Sequence, residues 1–429
     1  MSVRLAIPRR FSTSLALVCA VVCVALFLVI PAWGGGRTKI LYRPKPNQGA
    51  HFWGTMVFDS AGNLYGTTQQ GGIIPCGPQQ GCGTVFELSP QPDGTWTPQV
   101  LYRFKGGTDG ELVYSGVILD SAGSLYGTTS SGGNVQNGGY GYGTAYELSP
   151  GADGWTETLL HTFALQAGDG EAPVGPVTSD QSGNLYGTTY EGLNPCGYGT
   201  VYELSPNPQG GWTENILHCF DGNNSDGTYP SAGVIFDPAG NLYSTTFLGG
   251  PNGDGTVFEL SPSGGSWPED ILYSFGQNGS GIYPYATAVR DKDGNLYGIF
   301  YGGVFELTPS GGGWTYSTIY ESQSGLHGVA PNSLIIDEAG NLLGTAEGGS
   351  SSNCHGGGCG AVFKLTHREK GWQMTVLHNF PGGAGGADPY GGLVMDQQGN
   401  LYGTTYDGGR KGCRDGGCGV VFEISAKPE

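Results

Sequence analysis

Carboxylates, aromatic rings and cysteines are the residues of this 429-residue chain that could do chemistry, and their spacing limits what that chemistry is. Asp109-Gly110, Asp169-Gly170 and Asp226-Gly227 each set an acid before a glycine. Tyr229, Tyr283, Tyr285 and Tyr390 fall in or near the same loose pattern of Asp-Gly followed by Tyr or Pro. His51-Phe52-Trp53 holds the equivalent position near the head of the chain. Rings beside carboxylates suit sugar recognition, because rings stack on pyranose faces while acids accept hydrogen bonds from hydroxyls. The competing reading is structural: Asp-Gly makes a turn and Tyr-Pro packs beneath it. The residues alone leave both open. Calcium fits poorly, since Asp109 with Glu111, or Asp169 with Glu171, offers too few oxygens for a cation that takes about six to eight.

No isolated acid, base and nucleophile stand out. Glu87, Glu147, Glu203, Glu259, Glu306 and Glu423 recur in one slot, with Lys364 in the same place. A residue needed in every unit reads as packing, here a half-exposed side chain bonded to a neighbouring strand. His161, His218 and His378 fill a slot that Tyr102, Tyr273 and Tyr320 hold elsewhere, so they are expected as packed rings and not as ligands. We therefore expect no catalytic residue, no metal and no cofactor. Were the protein an enzyme, of the sugar lyase or lactonase type, the unrepeated His51, His327, Glu111 and Glu171 would be its candidates.

Beyond the first 36 residues stand eight cysteines. Cys76 with Cys82, Cys354 with Cys359, and Cys413 with Cys418 are spaced to close small loops, and an even count favours disulfides over the weaker zinc reading of Cys354-His355-x-x-x-Cys359. Cys196 and Cys219 pair only if a loop folds back on a strand, which the sequence leaves open.

A repeated frame must position these groups. Gly62-Asn63-Leu64-Tyr65-Gly66-Thr67-Thr68 returns from Gly123, Gly183, Gly240, Gly294, Gly340 and Gly399, 46 to 61 residues apart. Such a period means an array of one supersecondary unit. Within the first unit, Met56–Asp59, Asn63–Thr68, Gly83–Leu88 and Trp96–Tyr102 read as four strands, a to d, with Asp-x-x-Gly and Ser-Pro turns between them. Each Leu of Asn-Leu-Tyr is expected in the core, and the Trp opening strand d is expected to cover the blade edge over the c–d turn. The last unit stops after its strand c, at Phe422-Glu423-Ile424-Ser425, while Lys39-Ile40-Leu41-Tyr42 matches the end of a strand d and has no unit of its own. Joining the two makes a seventh sheet and hides both edges. The expected fold is all-β, a seven-bladed β-propeller of four-stranded antiparallel blades over residues 38–425. An open β-solenoid is the alternative.

In such a meander the a–b and c–d turns share one face, and the b–c and d–a loops the other. The turns are nearly constant here; the b–c loops run from Tyr301-Gly302 to more than a dozen residues at Gln69–Cys82. Function tends to sit on loops carried by a rigid frame, so the uneven face is the expected binding face. The site residues expected there are His51, Trp53, Asp109, Asp169, Asp226, Tyr229, Tyr283, Tyr285, His327 and Tyr390.

Asp-x-x-Gly-Asn-Leu-Tyr-Gly-Thr-Thr followed by Gly-Thr-Val-Phe-Glu-Leu-Ser-Pro resembles the GloVer tandem repeat, over nearly all of residues 38–425. The resemblance implies export and a repeat architecture, and no reaction. Proteins of that family carry assorted C-terminal anchors; this chain runs to Glu429 without one, so surface attachment would fall to its N-terminal segment. That segment has Arg4, Arg9 and Arg10 ahead of an apolar run from Leu15 to Ile30, then Ala32-Trp33-Gly34. It reads as a signal peptide over residues 1–34, with an uncleaved anchor as the alternative. Either places the body in the periplasm, at the cell surface or outside the cell. The formal net charge is -18, and the leader's three arginines make the body more acidic still. An acidic body is repelled by nucleic acid and by anionic membrane surfaces. A polysaccharide or a surface protein remains as partner, with a purely structural surface module that needs no ligand as a further alternative, and the protein is expected to be a monomer.

Overall fold

Every blade grows from the same turn. Asp59 Oδ1 accepts hydrogen bonds from the backbone N–H of Ala61 (2.9 Å) and of Asn63 (2.8 Å), while Oδ2 accepts from Asn63 Nδ2 (2.8 Å) and Tyr65 OH (3.2 Å). One carboxylate thus closes the a–b turn and pins the start of strand b. Asp120, Asp180, Asp237, Asp291, Asp337 and Asp396 repeat the backbone bonds. The computed structural model describes residues 37–426, except 73–75, 77–80, 134–140, 224, 278–280, 323–329, 349–353, 355–357 and 414–415. His327 and residues 1–34 lie outside the described residues.

In the first blade, strands a to d are Val57–Phe58, Leu64–Thr68, Thr84–Pro90 and Trp96–Arg103, hydrogen-bonded in that order and antiparallel. The next five blades repeat it. The seventh takes Val394–Met395, Leu401–Thr405 and Gly417–Ile424 from the end of the chain and Thr38–Tyr42 from its start. Thr38 faces Ile424, Ile40 faces Phe422 and Tyr42 faces Val421, antiparallel. The all-β propeller and its closure are therefore as the repeat register predicted. Among the described residues no helix is long and apolar enough to cross a membrane.

The core lies between blades. Leu64, Leu125, Leu242, Leu296, Leu342 and Leu401 are fully buried, and Leu185 nearly so; each contributes roughly 1.5–3 kcal/mol. The glycine after Leu-Tyr has a steric reason: a Cβ on Gly66 would come within 2.7 Å of the Phe86 ring on strand c. The Trp of strand d pairs with the Pro of the c–d turn, as Trp155 does with Pro150. It also reaches the preceding blade, which its spacing did not show: Trp155 meets Tyr65, Trp314 meets Tyr243 and Trp372 meets Tyr297, at centroid distances of 6.2, 6.3 and 5.7 Å. Trp96 meets Tyr402 in the same way across the closure, at 5.9 Å.

Candidate functional site

The d–a loops bring some of the residues expected to bind to one shared cavity. Five of the loops first pair with the residues that follow strand b, Ala50 with Gln70, Glu111 with Ser131, Glu171 with Glu191, Thr228 with Leu248 and Ala387 with Asp407, and in the sixth blade Ala330 pairs with Glu347, the last residue of strand b. The next residue must then turn sharply down into strand a. His51, Leu112, Ala172, Tyr229, Tyr283 and Asp388 make that turn with φ between 54° and 59°, a left-handed conformation that costs a non-glycine residue about 1–2 kcal/mol. Its recurrence at one position shows that the ladder before it and strand a after it impose it.

Two positions further on in these six blades, and at Asn332 in the sixth blade, side chains meet at one cavity. Trp53, Tyr114, Val174, Ser231, Tyr285, Asn332 and Tyr390, one from each blade, line a cavity of about 180 Å³. Its wall is lopsided. Trp53 stacks on Tyr390 (centroids 4.6 Å, planes 20° apart) and meets Tyr114 edge-on at 5.4 Å and Tyr406 at 5.6 Å. Trp53 remains 37 % exposed, so the stack is presented to solvent. Val174 and Ser231 make the opposite wall small.

Two acids stand beside this arc. Tyr390 donates its hydroxyl to Glu347, and Asp388 is close enough to act on both. Glu347 is open to solvent but crowded by its neighbours; that crowding pushes its carboxyl up, the Tyr390 bond opposes it and Asp388 adds to it. Burial pushes Asp388 up as well. Burial and the nearby carboxylates raise the Tyr390 phenol, which therefore stays protonated as a donor. Rings flanked by two acceptors form a slot that could hold a flat apolar face and bind the hydroxyls at its edge.

Of the residues expected here, Trp53, Tyr285 and Tyr390 meet at the cavity. His51 lies just behind them, buried, its ring 4.3 Å from Tyr406 and its Nδ1 3.7 Å from Asp407. Tyr229 and Tyr283 occupy the left-handed position and pack on Tyr190 and Phe247 at 5.0 and 5.1 Å. Asp109, Asp169 and Asp226 do not line the cavity. Asp109 accepts from Tyr102 OH and from the Lys105 N–H, Asp169 faces His161, and Asp226 faces His218. Glu111 and Glu171 also lie off the cavity lining. Tyr114, Tyr406, Glu347 and Asp388 were missed, although aromatics recur just after strand b at Tyr190, Phe247, Tyr301 and Tyr406 and could have pointed to that ring.

The same face is braced by disulfides. Cys76–Cys82, Cys354–Cys359 and Cys413–Cys418 close b–c loops, and Cys196–Cys219 ties a b–c loop to strand d. The pairing that the sequence left open is thus formed. The imidazoles of His161, His218 and His378 pack on Phe163, Phe220 and Phe380 at 4.7, 4.6 and 4.8 Å, in keeping with the ring slot.

The family model of the Gloeobacter/Verrucomicrobia repeat matches residues 25–224, 195–303 and 300–429. The sequence matches no curated protein. Among solved structures, the chain is similar to the extracellular domains of two hybrid two-component systems of B. thetaiotaomicron. For BT4673 the TM-score is 0.54 at 13% identity, covering 90% of this chain and 39% of that one. For BT3049 it is 0.53 at 13% identity, covering 91% and 41%. The chain thus spans about two fifths of each of these two solved chains, and at this identity the likeness shows the fold.

Proposed function

We propose, given that this chain belongs to the Gloeobacter/Verrucomicrobia repeat family, that it is an exported, non-enzymatic binding module that takes a polysaccharide at the mouth of its axial channel. The observation that carries this is the solvent-facing Trp53–Tyr390 stack, with Tyr114 on one side and the Glu347 and Asp388 carboxylates on the other. Export is supported by the four disulfides, by a leader over residues 1–34 and by the extracellular placement of the similar propeller domains. The mature body is then the single propeller of residues 38–425, monomeric and free of the membrane. A surface protein is the alternative partner.

A glycan array followed by calorimetry on the exported protein tests the reading. Trp53→Ala is expected to weaken the best oligosaccharide by about 2 kcal/mol, roughly thirtyfold, as removal of a central tryptophan does. Binding that survives the substitution, or an array without any hit, removes the proposal. The acid pair favours a second reading, a lyase or lactonase working at the same mouth, because neighbouring carboxyls with raised affinity for protons can act as acid and base. Turnover of acidic polysaccharides or sugar lactones that Glu347→Gln abolishes would establish it over the binding module.

A further inference from the structure

At the junction of the second and third blades, and again at the third and fourth, side chains from three separate segments converge. His161, Asp169 and Glu214 meet at the first, and His218, Asp226 and Glu269 at the second. Each histidine ends strand d of one blade, each aspartate follows eight residues later in the d–a loop, and each glutamate belongs to strand d of the next blade or its first residue. His161 Nε2 lies 3.4 Å from Asp169 Oδ1 and 3.6 Å from Glu214 Oε1. His218 Nε2 lies 3.2 Å from Asp226 Oδ1 and 3.9 Å from Glu269 Oε2. Within each cluster the three donor atoms stay within 4.8 Å of one another. A tetrahedral ion with bonds of about 2.0–2.2 Å holds its ligand atoms about 3.3–3.6 Å apart.

The first cluster is dry. The Asp169 and Glu214 side chains are 0% and 5% exposed, and the buried Glu214 Oε1 has no hydrogen-bond donor, only His161 at 3.6 Å and the Asp169 carboxylate beside it. At the second the Glu269 side chain is 13% exposed; its Oε2 faces His218, and the buried oxygen without a partner is the other one, Oε1. Two carboxylates facing one imidazole carry negative charge that a neutral ring does not offset, and a buried charge without a counter-charge is costly. A divalent cation would leave each cluster neutral.

We propose that each of these two junctions binds a divalent transition-metal ion, with Zn²⁺ the best fit, so that His161, Asp169 and Glu214, and His218, Asp226 and Glu269, staple neighbouring blades through a metal whose remaining position is filled by water. One imidazole nitrogen with two carboxylate oxygens suits zinc and its neighbours, not calcium, which collects about six to eight oxygens. The junction of the first and second blades is a built-in control. Tyr102, Asp109 and Glu157 hold the same three positions there, and the Tyr102 hydroxyl donates to Asp109. Glu157 Oε1 is also left without a partner, so what separates that junction from the other two is the imidazole nitrogen.

The experiment titrates chelator-treated full-length protein with zinc chloride by calorimetry and locates the ion by anomalous diffraction at the zinc edge. Uptake of two equivalents is expected, one at each cluster. His161→Ala should remove the first and His218→Ala the second, each with the far-ultraviolet spectrum of the folded protein. Tyr102→His should add a third equivalent at the control junction, and it keeps a ring type that the same slot accepts in three other blades. No uptake by the chelator-treated protein overturns the proposal. So does zinc located only at surface carboxylates, or retention of both equivalents by folded His161→Ala and His218→Ala variants.

Discussion

At the scale of single residues, the blades show which side chains replace one another. In the third blade Tyr186 OH bridges Asp180 (3.2 Å) and Glu203 (3.1 Å), and in the fifth Tyr297 OH bridges Asp291 (3.1 Å) and Glu306 (3.0 Å). The sixth blade has Leu343 in place of the tyrosine, so no phenol separates the two acidic slots. There the glutamate gives way to Lys364, whose Nζ lies 3.0 Å from Asp337 Oδ2. The Lys–Glu difference thus goes together with the Tyr–Leu one. Lys364→Glu should cost about 3 kcal/mol, because it faces one half-buried carboxylate with another. The double variant Leu343→Tyr, Lys364→Glu should recover most of that loss. Urea denaturation of both singles and the double gives the coupling; additive effects would show that the two positions are independent. Glu157 supplies a pH test. Burial, with Asp109 adding to it and Lys105 opposing, holds its carboxyl up at about 7. A carboxyl that binds its proton more tightly in the folded state contributes full stability in acid and loses it as pH climbs from the ordinary 4.5 to about 7. Glu157→Gln should therefore match the parent at pH 4.5 and exceed it by about 1 kcal/mol at pH 8, a figure kept small because solvent screens the partly exposed group. Denaturation at both pH values, with chelator present, would expose a variant whose advantage appears in acid instead.

At the scale of elements, strands were legible and loop destinations were not. Asp59-x-x-Gly62 and the alternation of Gly83–Leu88 state a turn and a strand through local chemistry, and those bonds formed where the residues called for them. Asp109, Asp169 and Asp226 carry the same kind of local signal. Their partners Glu157, Glu214 and Glu269, however, come from the next blade, some 43 to 48 residues on, where no spacing rule reaches. Trp53 and Tyr390 could be read as mouth residues because both follow a recognisable d–a loop. Glu347 could not, because it stands at the end of strand b and reaches the mouth by pairing there with Ala330. The cysteines divide along the same line. Separations of 6, 5 and 5 residues identify three loop pairs, whereas Cys196–Cys219 spans 23 and needs the b–c loop to fold over strand d. Glu191 and Gly192 start that fold by pairing with Glu171 and Gly170, and the two cysteines end with Cα atoms 4.8 Å apart. The longer ring restrains more of the unfolded chain. In the chain-entropy model, serine at Cys196 and Cys219 should cost about 3 kcal/mol, against about 2 kcal/mol for serine at Cys354 and Cys359. Equal losses in denaturant titrations would mean that local strain and not loop length sets their worth.

At the scale of the whole molecule, one strand decides whether seven blades form a ring. Thr38–Tyr42 pairs with Gly417–Ile424 and carries the inter-blade pattern across the gap. Thr38 Oγ1 bonds His378 Nδ1 of the sixth blade at 2.8 Å, and the Lys39 ammonium donates to the Gly94 carbonyl of the first. Arg43 Nε donates to Ala384 O at 3.1 Å, and Arg410 Nε donates back to Arg43 O at 3.2 Å. Ile40 packs with Phe422 and Leu401, while Tyr42 packs with Phe52 and Phe86. Without this strand, Gly417–Ile424 becomes an open edge, and a long apolar edge invites pairing with other chains. Removing residues 38–43 should therefore lower the melting temperature and drive aggregation, more than any single-residue change argued above. The sharper test is a circular permutant. Joining residue 425 to residue 38 through a short linker, and opening the chain between Gly264 and Gly265 in an exposed c–d turn, keeps every strand and moves the split from one blade to another. If the sheet is what holds the ring, the permutant should melt within a few degrees of the parent while the truncation melts far lower and aggregates. If the permutant fails as badly as the truncation, the termini matter for something other than supplying a fourth strand.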